Sequence, residues 1–152
     1  MPMHYVIKKE IGKKKRILQP LLPNLLFVNT TREVVNSIIK KNGDETSVLK
    51  FYLDKTKPLE ENGKHPPLII PFTAMKNFIK ATSTENEHVR IVTSEQCHYK
   101  SGDIVKVIDG EFEGVTGKVA RIAGQQRVVV EISGLCFVAT AYIPTDFIKI
   151  IK

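Results

Sequence analysis

Lys100-Ser101-Gly102-Asp103-Ile104-Val105-Lys106-Val107-Ile108-Asp109-Gly110-Glu111-Phe112-Glu113-Gly114-Val115-Thr116-Gly117-Lys118-Val119 is the stretch whose spacing decides the fold. Two β patterns, residues 104–108 and 118–122, flank a tight segment holding Gly110, Phe112, Gly114 and Gly117. Glycine belongs where backbone turns with positive φ or passes close to a neighbouring chain. A phenylalanine inside so short a segment must bury its ring, so Phe112 is expected in a core. Further β patterns follow at 127–132 and 137–143. Short strands at this spacing, punctuated by glycine, predict a small closed all-β barrel over residues 98–152.

The chain has 152 residues, room for one medium domain or two small ones. Apolar residues make up 42% of it, enough for a core. No apolar run approaches the ~20 residues of a membrane span, and Met1-Pro2-Met3-His4 has no signal-peptide core. Cys97 and Cys136 stand far apart without CxxC partners, which argues against a disulfide framework or zinc site and for a reducing cytoplasm. The net charge of +7 is unevenly placed. Residues 1–95 hold 16 Lys/Arg against 10 Asp/Glu, and residues 96–152 hold 7 against 6. The densest run is Lys8, Lys9, Lys13, Lys14, Lys15 and Arg16 against Glu10. Such a cluster attracts polyanions; the same run also fits a solvated hairpin tip whose charge keeps a strand edge soluble.

Before the barrel, residues 4–8 and 16–18 predict a hairpin turning at Gly12. Asn24 to Val28 is apolar on both faces and predicts a buried central strand. Thr30 with Glu33 three residues later fits a capping box for a helix whose stripe is Val34, Val35, Ile38 and Ile39 and whose stop is Gly43. Residues 47–53 predict a strand, 54–67 a loop, and 68–70 a short strand. Pro71 opens a second helix through Met75, Phe78 and Ile79. Residues 85–97 predict an interdomain linker, although Val89 to Val92 could add a strand. An α+β domain over 1–84, an antiparallel sheet with helices, therefore precedes the barrel.

The stretch from Gly102 to Val119 resembles the KOW motif, Gly-Asp-x-Val-x-Val-x-x-Gly-x-Phe-x-Gly-x-x-Gly-x-Val. Pro20-Leu21-Leu22-Pro23-Asn24-Leu25-Leu26-Phe27-Val28 resembles a strand of the NusG N-terminal domain. Together the two segments resemble the NusG family of transcription elongation and antitermination factors, closest in look to its specialised UpxY and RfaH types. The resemblance implies a first domain lacking the family's opening Trp-Tyr strand and helix, hence a NusG-like domain incomplete at its start. It implies RNA polymerase docking through Leu22, Pro23, Leu25 and Phe27, which also fit plain core positions. It implies a second partner for the barrel (NusE, Rho or the ribosome) at Leu135 or Phe137, either of which could equally face inward. It links UpxY-type factors to capsular polysaccharide operons through nascent RNA, so contact with RNA or DNA is expected either of the barrel or of the hairpin residues Lys13, Lys14, Lys15 and Arg16. A monomer without cofactor or metal is expected. The alternative is a ribosome-associated KOW protein binding structured RNA, against which stands the nearly neutral second half.

An enzyme is not expected. Cys97 and His98 are the one adjacent nucleophile–base pair, and strand neighbours point to opposite faces. No His, Asp or Glu set has metal spacing. Gly110 to Gly114 fits no phosphate cradle, because Glu111 and Glu113 sit where phosphate would lie.

Overall fold

The computed structural model describes residues 3–41 and 49–152. Among the described residues it has a mixed α/β fold with a six-stranded antiparallel sheet and two α-helices. The chain divides into two compact units, one made of Met1–Pro23 with Ile70–Lys152, the other of Asn24–Ile69.

In the first unit, β1 (Met3–Glu10) and β2 (Lys13–Pro20) form an antiparallel hairpin. Ile11 and Gly12 turn it with φ of 45° and 75°. Two positive φ values in a two-residue loop match the right-handed twist of the strands they join. The larger sheet is ordered β3-β7-β6-β5-β4-β8. Its strands are β3 (Arg90–Val92), β4 (His98–Val107), β5 (Thr116–Ile122), β6 (Gln125–Ile132), β7 (Cys136–Ala139) and β8 (Ile148–Ile150). β4 starts earlier than the residue-104 onset that the alternation indicates. It tolerates this through a register shift between Tyr99 and Ile104, next to Gly102 at φ 78°. β3 lies inside residues 85–97 and pairs with β7. β7 ends at Ala139 and does not run on to 143. There the Thr140 hydroxyl, fully buried, accepts the Val128 N–H at 3.0 Å and donates to the Ala141 carbonyl at 2.8 Å.

Phe112 is buried, at 5% exposure. Gly110 and Gly114 on either side of it have φ of 82° and 86°. Val92, Cys97, Ala120, Ile122, Val129 and Ala139 form one apolar cluster of the sheet. Strand side chains alternate between faces, yet Arg127, Val128, Val129 and Val130 are all buried in sequence. β6 is therefore covered on both faces. The Arg127 guanidinium donates to the carbonyls of His88 and Thr140, at 2.9 and 3.0 Å, and so joins the segment before β3 to the end of β7.

Helix α2 (Phe72–Thr82) packs on β6 and buries Phe78, Ala81 and Thr82. It starts where the sequence places it, after Pro71, but belongs to the unit of the six-stranded sheet. Asn77 ties it down: the Thr116 N–H donates to the Asn77 side-chain oxygen at 2.8 Å, and the Asn77 amide donates back to the Thr116 carbonyl. Removing this side chain leaves both Thr116 backbone groups unpaired at a half-buried position, each costing about 1–3 kcal/mol where water cannot reach. Asn77→Ala should thus lower the unfolding free energy by about 2 kcal/mol, measured by urea denaturation. A loss no larger than that of a surface control such as Lys76→Ala would show that the clamp carries no stability.

In the unit Asn24–Ile69, α1 (Arg32–Lys41) is capped by Thr31, whose hydroxyl accepts the Val34 N–H at 3.4 Å. The cap thus sits one residue later than the Thr30–Glu33 box. The expected stop at Gly43 and the start of the 47–53 strand lie outside the described residues. Residues 24–28 form no strand. Asn24 takes φ 61°, which turns the chain where extension would have to begin, and Leu26 and Val28 stand exposed at 62% and 66%. Among the described residues of this unit the sole β pairing is the isolated bridge Leu53↔Pro67, so 68–70 is not a strand. Asp54 holds the adjoining turn by accepting the Thr56 N–H and hydroxyl. The Thr56 hydrogen bonds keep its carboxyl below the usual carboxylate range. The antiparallel sheet expected over 1–84 is thus reduced, among the described residues, to the β1–β2 hairpin and this bridge.

Candidate polyanion-binding hairpin and apolar contact residues

The hairpin concentrates positive charge by its register. Lys8 stands directly opposite Lys15, and Lys14 opposite Lys9. Like charges placed directly opposite across an antiparallel pair are destabilising. Lys8, Lys13, Lys14 and Lys15 are all exposed. Arg16 differs from its three lysine neighbours. Its guanidinium donates to the Glu85 carbonyl and lies 3.7 Å from the Glu87 carboxylate. Both Arg16 and Glu87 keep solvent access, so this ion pair adds little stability. What it does is fix the end of the lysine run against residues 85–87. The hairpin therefore presents lysines outward while its arginine is engaged within the unit.

The four apolar candidates fall on both sides of a unit boundary. Leu22 is half-buried and Pro23 exposed at the end of one segment; Leu25 and Phe27, both half-buried, belong to Asn24–Ile69. In that stretch the most exposed apolar side chains are Leu26 and Val28. They were missed because a run apolar on both faces gives no sign of which residues face water.

Leu135 and Phe137 are both half-buried. The Leu135 N–H donates to the Ile132 carbonyl at 3.0 Å and closes the turn between β6 and β7, with Gly134 at φ 81°. Phe137 packs against the cluster of Val92, Cys97 and Ala139. Its ring serves the core, and of the two Leu135 is the one placed in a turn.

Neither cysteine is poised for nucleophilic chemistry. Cys97 is buried, and its thiol lies 3.4 Å from the Thr93 carbonyl. Burial pushes the Cys97 thiol up, and the Cys136 thiol up to about 11. Both are thus protonated at neutral pH, whereas the thiolate is the nucleophile. His98, next in sequence, is exposed on β4. Among the described residues no group of three or more His, Cys, Asp or Glu could hold a metal ion, and no helix is long and apolar enough to cross a membrane. Compared with protein-family models, with curated proteins and with solved structures, the chain matches none.

Proposed function

We propose that this chain is a transcription antitermination or elongation factor that binds RNA polymerase through its first half and recruits a second partner through its six-stranded sheet. The observation that carries this is the fit of residues 102–119 to the KOW spacing, with Phe112 buried and Gly110 and Gly114 at positive φ. A spacing match alone is a pattern; the burial of its one aromatic gives the pattern a physical reason. The exposed lysine hairpin supports contact with nascent RNA, because opposed lysines gain when an anion lies between them. Polymerase contact is assigned to the apolar residues around Leu22, Pro23, Leu25 and Phe27, extended by exposed Leu26 and Val28.

Two measurements test this function. Tagged protein should retain purified core RNA polymerase and shorten pauses in single-round transcription. Retention of ribosomal RNA without polymerase would instead favour a ribosome-associated RNA-binding protein. For the hairpin, K13Q/K14Q/K15Q should weaken leader-RNA binding and flatten its log–log salt dependence by about 2, at about 0.7 per phosphate contact on a single strand. An unchanged slope would remove the hairpin from the RNA contact.

A further inference from the structure

Three lysines distant in sequence meet on the six-stranded sheet. Lys106 on β4 and Lys149 on β8 are direct cross-strand partners. Lys80, in the last turn of α2, places its ammonium 2.9 Å from where a Cβ on Gly114 would lie. All three are exposed. They line one open groove of about 610 Å³, together with the apolar side chains of Ile108 and Ile151 and a single carboxylate, Glu113.

Of the neighbouring acids, Asp109 and Glu111 do not line this groove. Asp109 accepts the N–H of Gly110 at 2.7 Å, and Glu111 accepts from the Asn86 amide at 3.0 Å. Of the two glutamates flanking Phe112, only Glu113 lines the groove. Glycine at 114 has a second role besides its φ of 86°, since any side chain there would displace the Lys80 ammonium. Opposed lysines such as Lys106 and Lys149 cost stability unless something anionic compensates them.

The geometry points to a phosphate-binding groove built by Lys80, Lys106 and Lys149. Its ligand is a phosphate group carried either by the backbone of a single-stranded nucleic acid or by a free polyphosphate. Ammonium groups on flexible stems suit such a ligand, because lysine binds phosphate as a point charge without demanding one orientation. The groove shares no residue with the hairpin's lysine run, and the assignment does not depend on polymerase binding.

The test uses the full chain carrying K13Q/K14Q/K15Q, so that hairpin charge does not contribute. Binding of a fluorescein-labelled oligouridylate is read by anisotropy across a KCl series, and melting temperature is read with and without tripolyphosphate. Adding K106Q/K149Q should weaken the groove's binding about tenfold at low salt and reduce the salt slope by about 1.4. It should leave the ligand-free melting temperature equal or higher, since a repulsive pair is gone, and abolish the ligand-dependent rise. K106R/K149R, which keeps the charge, should bind like its parent. Competition by tripolyphosphate at or below the oligonucleotide's phosphate concentration identifies a free polyphosphate. Failure to compete identifies the nucleic-acid backbone. Equal affinity and slope in K106Q/K149Q, or no binding of either anion, would overturn the assignment.

Discussion

Gly117→Ala should be the most damaging single substitution in the sheet, with a loss above about 4 kcal/mol. A Cβ at this position would lie 2.2 Å from the Val129 carbonyl oxygen and 2.9 Å from Val128 Cγ1. The first obstacle is backbone of the neighbouring strand, which cannot rotate away as a side chain can. Relief requires β5 and β6 to separate next to the Lys118↔Val129 pair, where the ladder holds the centre of the sheet. The cause is space alone, because Gly117 does not occupy a left-handed conformation. Gly102 and Gly124 provide the contrast, with φ of 78° at both and open space around each. Alanine there meets only backbone strain of roughly 1–2 kcal/mol. Thermal and urea unfolding of the three variants should therefore separate them clearly. Equal losses would mean that close approach of β6 is not what requires glycine at 117.

Phe78→Ala should cost about 3–5 kcal/mol, the usual range for emptying a buried aromatic site. Phe78 is fully buried and stands first by volume among the fully buried side chains. Its loss removes the largest of the side chains that α2 buries, leaving Ala81, Thr82 and the Asn77–Thr116 clamp to hold the helix. Because α2 and the six strands belong to one compact unit, hydrogen exchange should show α2 and β6 losing protection together. Selective loss in α2, with β6 unchanged, would show that the helix is an appendage of the sheet.

Much of the architecture was legible in local chemistry. Pro71 announced α2, the stripe of Val34, Val35, Ile38 and Ile39 announced α1, and the glycine spacing placed Phe112 in the core. Each of these signals acts within a few residues. Residues 24–28 misled because apolarity on two faces reports affinity for a core and says nothing about a partner strand; Asn24 in a left-handed conformation then prevents extension. β8 went unread for the reverse reason: three residues carry too little pattern, and only pairing of Val105 and Val107 with Ile150 and Ile148 makes it a strand. Charge showed the same limit. Summed over residues 96–152 it is close to neutral, yet Lys106, Lys149 and the incoming Lys80 share one groove that Asp109 and Glu111 do not line. Of the candidate residues, the lysine run was legible as exposed charge. The engagement of Arg16 with Glu87, and of Phe137 with the core, depends on contacts that sequence does not encode locally.

The unit Asn24–Ile69 is threaded between two pieces of chain that both belong to the other body. Topologically it is an insertion, leaving the sheet unit after Pro23 and returning to it at Ile70. Closing a loop costs entropy that grows only with the logarithm of its length, so doubling the inserted segment adds about 0.6 kcal/mol. That is less than the Asn77 clamp alone is expected to contribute. For the sheet unit, then, the entropy of closing the chain around this insertion depends only weakly on how many residues the insertion holds.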